Sequence, residues 1–346
     1  MNAYITVDSL KGTACLNIMG TAYDTELRLI AESVSRQIDT YCNRKFYTYT
    51  GTLTFDGDGS TELFVPELVS ITSLKEDSNS DGTFDTTWAS KDYILQPQNA
   101  QPTAEWGRPY TRIQVSFKTG ATQDVFLRDQ QNYQVVGTFG FRHVTTNSQW
   151  VCSVSNATAV DMTVRNWIWG DLNNNGTWDS DDVTLLADYL SSGTFGSSTL
   201  STSDFIIRAD VNQDGTITVT DGQALLKLIM YGNHTSAIEI GQTLLIGTEQ
   251  VYVTATAGTA MTVRRGLNGS TGTAYTNAQM LIIKYPETIR EAAKIQTARL
   301  WHRKDSAYSN IVGMPETGQL VVSTGLDNDV KQLLTTYKKP AMGYPT

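Results

Sequence analysis

Two twelve-residue stretches carry oxygen donors at a spacing that suits a hard divalent cation. Residues 171–182 read Asp-Leu-Asn-Asn-Asn-Gly-Thr-Trp-Asp-Ser-Asp-Asp, and residues 210–221 read Asp-Val-Asn-Gln-Asp-Gly-Thr-Ile-Thr-Val-Thr-Asp. Each offers oxygen side chains at positions 1, 3, 5, 9 and 12, with glycine at position 6. Ca²⁺ takes about six to eight such ligands, and a short loop supplies them only if glycine permits the bend and a helix then presents the last carboxylate. The first set is Asp171, Asn173, Asn175, the Thr177 carbonyl, Asp179 directly or through water, and Asp182. The second is Asp210, Asn212, Asp214, the Thr216 carbonyl, Thr218 or a water it holds, and Asp221.

Charge supports a cation here. Between residues 161 and 232 ten acids face three bases, so −7 of the chain's net −9 lies in this segment. Two bound Ca²⁺ would relieve most of that repulsion, and without metal the segment is expected to be largely unfolded.

A third stretch, Asp77-Ser-Asn79-Ser-Asp81-Gly82-Thr83-Phe84-Asp85, opens in the same way, with oxygens at positions 1, 3, 5 and 9 and Gly82 at 6. Its twelfth position is Trp88, so the closing carboxylate is missing. The stretch reads as an acidic hairpin turn, with weak calcium binding through Asp77, Asn79, Asp81, Thr83 and Asp85 as the alternative.

The elements that must position these loops follow from periodicity. After each complete loop comes a helix: Val183, Leu185, Leu186, Tyr189 and Leu190 form the first apolar face, and Ala224, Leu225, Leu228, Ile229 and Tyr231 the second. A Ser/Gly/Thr-rich connector, 191–203, joins the repeats. Before and after this unit the period is two, in strands at Ala157–Val164 and across 238–284, which reads as a small β-domain carrying the calcium unit.

Outside that region, Leu27, Ile30, Val34, Ile38, Tyr41 and Cys42 mark an amphipathic helix over 24–43, with Asp24 or Thr25 placed to cap it. A second helix covers 286–304, with Pro286 in its first turn and Ile289, Ala292, Ala293, Gln296, Leu300 and Trp301 on one face. Its small alanines suit close approach of the first helix. Between them lie strands: 46–55 and 62–66 around the turn Asp56-Gly-Asp-Gly-Ser60 read as a hairpin, followed by 68–76, 93–95, 113–117 and 134–141. The tail adds a strand at 318–323 and a last helix that Asp327 is placed to cap.

The result is an α+β chain: a helical and β-hairpin body over 1–142 and 285–346, an inserted β-domain over 143–165 and 233–284, and the calcium unit at 166–232. Ends of an inserted domain lie close together, which puts Phe139–Phe141 beside Tyr285 and Pro286. Apolar residues make up 40% and charged residues 18%, as in a globular chain. The net charge and the absence of a basic stripe argue against generic nucleic-acid affinity. The start lacks the charged and apolar regions of a signal peptide, and no apolar run approaches the roughly 20 residues of a membrane span. The expectation is a protein made in a bacterial cytoplasm, with no membrane partner. Cys15, Cys42 and Cys152 are an odd number without metal-site spacing and suggest neither disulfides nor a nucleophile.

Two resemblances follow. The paired loop–helix unit, with Asp rather than Glu at position 12, resembles a dockerin-like, EF-hand-like module over about 166–232. In dockerins, loop positions 10 and 11 meet a cohesin partner, which implies contacts at Ser180 and Asp181 in one repeat and Val219 and Thr220 in the other. The halves do not match, and a metal-stapled decoration without such a partner is the plainer alternative.

The body resembles the head-to-tail connector, or head-completion adaptor, proteins of tailed bacteriophages. The matching pieces include Ile38-Asp39-Thr-Tyr41-Cys42-Asn-Arg44-Lys-Phe46, Phe55 to Ser60, Leu68 to Asp85, Gly137 to Gly140, Glu249-Gln250 with Val263 to Gly269, and the helix ending Arg299-Leu-Trp-His-Arg-Lys304. That resemblance implies a ring, commonly of twelve copies, at the neck of the virion. Its partners would be the portal protein and a tail or tail-completion (stopper) protein, and double-stranded DNA would pass through without specific binding. No catalytic residue is implied.

The rival reading is a calcium-dependent bacterial adhesion or scaffold protein that uses the dockerin-like unit as a plug. An enzyme is the less favoured alternative, since Glu62, Glu67 and Glu105 are carboxylates that any acidic chain offers.

Overall fold

The computed structural model describes residues 2–166, 169–175, 178–211, 215–231, 238–257, 260–304, 311–314, 318–321 and 325–339. It is a mixed α and β structure with seven α-helices and a closed six-stranded barrel among the described residues.

Helices α1 (Val7–Lys11) and α2 (Asp24–Cys42) open the chain. Leu27, Ala31, Val34, Ile38 and Cys42 of α2 are buried at helical spacing. The cap differs from expectation: Tyr23 holds the N-cap position without a side-chain hydrogen bond, and Asp24 instead pairs with Lys11 at 2.8 Å. A charged partner on α1 outcompetes the backbone amides for that carboxylate. Asn43 ends the helix in the left-handed region, φ 51°.

Six strands follow: β1 (Tyr49–Gly57), β2 (Glu62–Glu76), β3 (Thr86–Trp88), β4 (Tyr93–Gln96), β5 (Tyr110–Val115) and β6 (Asp129–Phe139). They form an antiparallel sheet in the order β1-β6-β2-β5-β4, with β3 on the far end of β2. The 46–66 segment is therefore not a hairpin, because β6 lies between β1 and β2. The turn is drawn away from hairpin pairing by residues near β6: Gly59 N–H donates to Phe126 O at 2.9 Å, Phe126 N–H to Ser60 O at 2.8 Å, and Gly57 N–H to the Asn132 amide oxygen at 2.8 Å. Gly137 lets β6 fit between its neighbours, since a Cβ there would lie 2.4 Å from Ser70 O. Trp88 stacks on Phe126, with ring centroids 4.8 Å apart, in the core of this sheet.

The chain then enters the barrel through β7 (Val144–Val154) and β8 (Asp161–Asn166), leaves for the calcium unit, and returns through β9 (Thr243–Ile246), β10 (Glu249–Ala257), β11 (Ala260–Arg264) and β12 (Tyr275–Lys284). The order is β10-β11-β8-β7-β12-β9, and closure removes the exposed edges an open sheet would have. Two strands, not one, precede the calcium unit, and residues 238–241 are not strand. Residues two apart point inward together, as in Met162 with Val164, Leu244 with Ile246, Val251 with Val253 and Met261 with Val263. Val144 pairs with Lys284, so the chain enters and leaves the barrel side by side.

Helix α6 (Glu287–Arg303) packs on α2 through Ile289, Ala292 and Ala293, with Pro286 as its N-cap. Strands β13 (Ile311–Met314) and β14 (Gly318–Val321) pair with each other, and α7 (Asn328–Leu334) returns to α6. Asp327 stands at the N-cap of α7 as expected, yet its side chain makes no cap hydrogen bond. It binds Arg299 at 3.0 Å instead, because a guanidinium fork offers a stronger partner than a backbone amide. The barrel is braced on this body by Val7 N–H to Ile240 O at 2.9 Å, the Gln250 amide to Thr48 O at 3.2 Å, and Arg264 to Glu32 at 3.2 Å.

Candidate calcium module

Three helices hold the loops: α3 (Ser180–Ser192), α4 (Thr202–Ala209) and α5 (Val219–Tyr231). Helix α4 lies partly within the stretch read as a connector. Ser201 caps it by accepting from Asp204 N–H at 3.2 Å, and Phe205 and Ala209 give it a buried face. Its apolar signal spans barely two turns, which is why periodicity alone passes over it. Leu172, Leu185, Leu186, Phe205, Ala209, Val211 and Leu225 form the core, and α3 packs on α5. Leu190, expected on the apolar face of α3, is 39% exposed. The side chains of Leu228 and Tyr231 lie outside the described residues.

In the first loop, Asp171 Oδ1 and Asn173 Oδ1 both accept from Asn175 N–H, at 3.1 and 2.9 Å. Asp182 is fully buried, and its carboxylate spans the loop: Oδ1 accepts from Leu172 N–H at 2.7 Å and Asn173 N–H at 3.1 Å, and Oδ2 from Asp179 N–H at 3.0 Å. Asp179 reciprocates as N-cap of α3, accepting from Asp181 N–H at 2.9 Å. Burial raises the Asp182 carboxyl above the usual range, opposed by those backbone hydrogen bonds and reinforced by the charge of Asp171. A bound cation would offset that penalty.

The second loop repeats the closure. Asp221 is fully buried, and its Oδ2 accepts from Thr218 N–H at 2.8 Å. Asp210 Oδ2 accepts from Gly215 N–H at 2.9 Å, and Gly215, at loop position 6, has φ 87°, which favours glycine there. Thr216 is exposed, and Thr177, Asn212 and Asp214 lie outside the described residues.

No three His, Cys, Asp or Glu side chains among the described residues converge as a ready metal cluster. The donors the loops offer are instead carboxylate, amide, hydroxyl and carbonyl oxygens, the chemistry that suits Ca²⁺. The Asn175 side-chain N–H donates to Asp179 Oδ2 at 2.8 Å, so binding through Asn175 requires that amide to present its oxygen. Ser180, Asp181, Val219 and Thr220 are all exposed, at the starts of α3 and α5.

Sequence reading passed over Arg208, which is buried and donates from Nη1 to Asp171 O at 3.0 Å and Asp171 Oδ2 at 3.3 Å. The available signal was a lone cation two residues before the second loop in a strongly acidic segment.

At the third stretch, the Asp77 carboxylate accepts from Asp81 N–H at 3.2 Å and Gly82 N–H at 2.7 Å, and Asp81 Oδ1 accepts from Thr83 N–H at 2.7 Å. Asn79 donates to Asp81 Oδ2 at 3.1 Å, and Asp85 accepts from Ser78 at 3.4 Å. Trp88, at the twelfth position, is committed to the sheet core. Elsewhere, Glu62 pairs with Arg112 at 2.9 Å, Glu67 with Arg44 at 3.4 Å and Glu105 with Lys284 at 3.2 Å. Burial pushes the Cys42 thiol up to about 11 and the Cys152 thiol up to about 12. No helix among the described residues is long and apolar enough to cross a membrane.

No curated protein and no solved structure matches the chain, and nothing found in these comparisons supports the connector resemblance of the body. The calcium module is recognised: residues 169–230 match the dockerin type I domain, a kind of domain that typically binds Ca²⁺ and cohesin partners.

Proposed function

We propose that this chain is a non-catalytic docking protein whose module at 169–230, stapled by two Ca²⁺, plugs into a cohesin-like partner and tethers the α+β body to it. The observation that carries this reading is the pair of fully buried closing carboxylates, Asp182 and Asp221, each in the first turn of a helix whose first two residues are exposed. The ions would be held by the oxygen donors of the two loops; when bound they supply charge compensation and fix the loops. The chain's own residues then order α3 and α5, and the exposed Ser180, Asp181, Val219 and Thr220 form the contact set. The test is retention of the full chain on a panel of immobilised type I cohesin domains, in calcium and in EDTA. Retention in calcium that EDTA abolishes is expected. No retention on any cohesin, or retention indifferent to EDTA, would reject the reading.

A second reading, a subunit of a phage head-to-tail connector ring made in the host cytoplasm and carried at the virion neck, rests only on the resemblance of the body's residues, and no comparison supports it. Native mass spectrometry of the full chain, alone and with portal or tail-completion protein, tests it: closed rings support it, and a monomer in every mixture removes it.

A further inference from the structure

We propose that Arg208 is a positioning residue that couples the two calcium loops, so that filling the second loop prepares the first. The inference rests on the calcium reading above.

Arg208 belongs to α4 and lies two residues before Asp210, the first ligand of the second loop. Both its side chain and its backbone reach the start of the first loop. Nη1 donates to the carbonyl of Asp171 at 3.0 Å and to its Oδ2 at 3.3 Å, and Gly170 N–H donates to Arg208 O at 2.9 Å. The pair is shielded, with 7% of the Arg208 side chain and 3% of the Asp171 side chain exposed. Asp171 Oδ1 meanwhile accepts from Asn175 N–H at 3.1 Å. One carboxylate oxygen thus supports the bend of its own loop, while the other is oriented from the opposite repeat.

The repeats differ at this place. Trp169, two residues before Asp171 and so at the place Arg208 holds before Asp210, receives on its carbonyl the indole N–H of Trp178 at 2.7 Å. The first repeat therefore has a tryptophan where the second has the cation Arg208. Two more links run the same way: the Ser198 hydroxyl donates to Leu172 O, and the Thr199 hydroxyl to Asn173 O at 3.2 Å.

A guanidinium beside a calcium ligand repels the ion. Within 169–230, however, nine acids face two bases, so the local field remains negative with Arg208 in place. What Arg208 adds is order. Metal binding in such modules is inseparable from folding, so an ion in the second loop that fixes the end of α4 also fixes the group holding Asp171. The free-energy link is reciprocal, and each site raises the affinity of the other by the same factor.

Terbium, a luminescent stand-in for calcium, separates the sites. Trp178 occupies position 8 of the first loop where the second has Ile217, so tryptophan-sensitised emission reports the first loop. The full chain is titrated unaltered and as Asp221→Ala, Arg208→Gln and the double variant. Asp221→Ala is expected to weaken the first loop by roughly tenfold when Arg208 is present. In the Arg208→Gln background the same change should leave it within about twofold. Equal losses in both backgrounds would overturn the coupling while leaving calcium binding intact. Absence of any emission from the unaltered chain, with no calcium heat by calorimetry, would overturn the calcium reading and the coupling with it. Should Arg208→Gln lack its helical circular dichroism at saturating calcium, Arg208→Lys takes its place with the same expectation, because a point-charge ammonium does not reproduce the planar guanidinium.

Discussion

Asp182 and Asp221 occupy one structural position twice: each is fully buried, and each accepts the backbone N–H of the residue three before it, at 3.0 Å in the first repeat and 2.8 Å in the second. The closing carboxylate thus locks the helix that follows, and in the proposed calcium-bound module it would also be a ligand. Replacing both, Asp182→Ala with Asp221→Ala, is expected to abolish calcium binding by calorimetry and to remove the calcium-dependent part of the helical circular dichroism, while the body keeps its own thermal transition. Two tight sites surviving in that variant would show the ligand assignment to be wrong.

Calcium removal should act on the module alone. Chelation is expected to expose residues 191–203 to limited proteolysis, with the body released as resistant fragments, since metal at about 100 times Kd contributes roughly 2.7 kcal/mol that chelation takes away. Equal cleavage rates with and without EDTA would count against a metal-stapled fold.

The body carries a pH-sensitive group of its own. Burial raises the Asp39 carboxyl to about 6, against the pull of the Arg36 charge and the hydroxyl of Tyr4. An unfolded aspartate titrates near about 3.9, so the folded state binds this proton more tightly. The resulting stability is fully present below about pH 4 and is lost as pH rises through about 6, on the order of 2 kcal/mol. Urea midpoints of the wild type and Asp39→Asn between about pH 4.5 and 7.5 should diverge by that slope. Parallel profiles would remove Asp39 as its source.

Close packing makes two further positions sensitive. Ile289 is fully buried where α6 meets α2, and Ile289→Ala should destabilise the body by about 2–5 kcal/mol while leaving calcium affinity unchanged. Gly137→Ala would push a Cβ to within 2.4 Å of Ser70 O and should cost at least about 1–3 kcal/mol through a forced shift of β6 against β2. Chemical denaturation measures both. A change in calcium affinity in the Ile289 variant would show that body and module do not respond independently.

The sequence by itself determined the local chemistry. The donor spacing of the two loops, the apolar faces of α2, α6 and the core of α3, and the period-two runs of the barrel are all set by residues a few positions apart. For that reason the module, whose oxygen donors lie within twelve residues of one another in each loop, is also the part that comparison with known families recognises. What only the tertiary structure decided are the partners chosen over distance. β6 took the place beside β1 that a local turn promised to β2, because backbone groups near residues 126 and 132 hold that turn. Asp24 and Asp327 left their helix ends for Lys11 and Arg299, since a paired cation binds a carboxylate more strongly than a solvated amide does. Arg208, one charge in a sequence, became the bridge between two loops only when α4 folded back onto Asp171 and water was excluded around the pair. Spacing along the chain encodes which groups can share an ion, whereas the choice among competing partners depends on which of them the folded chain brings into reach.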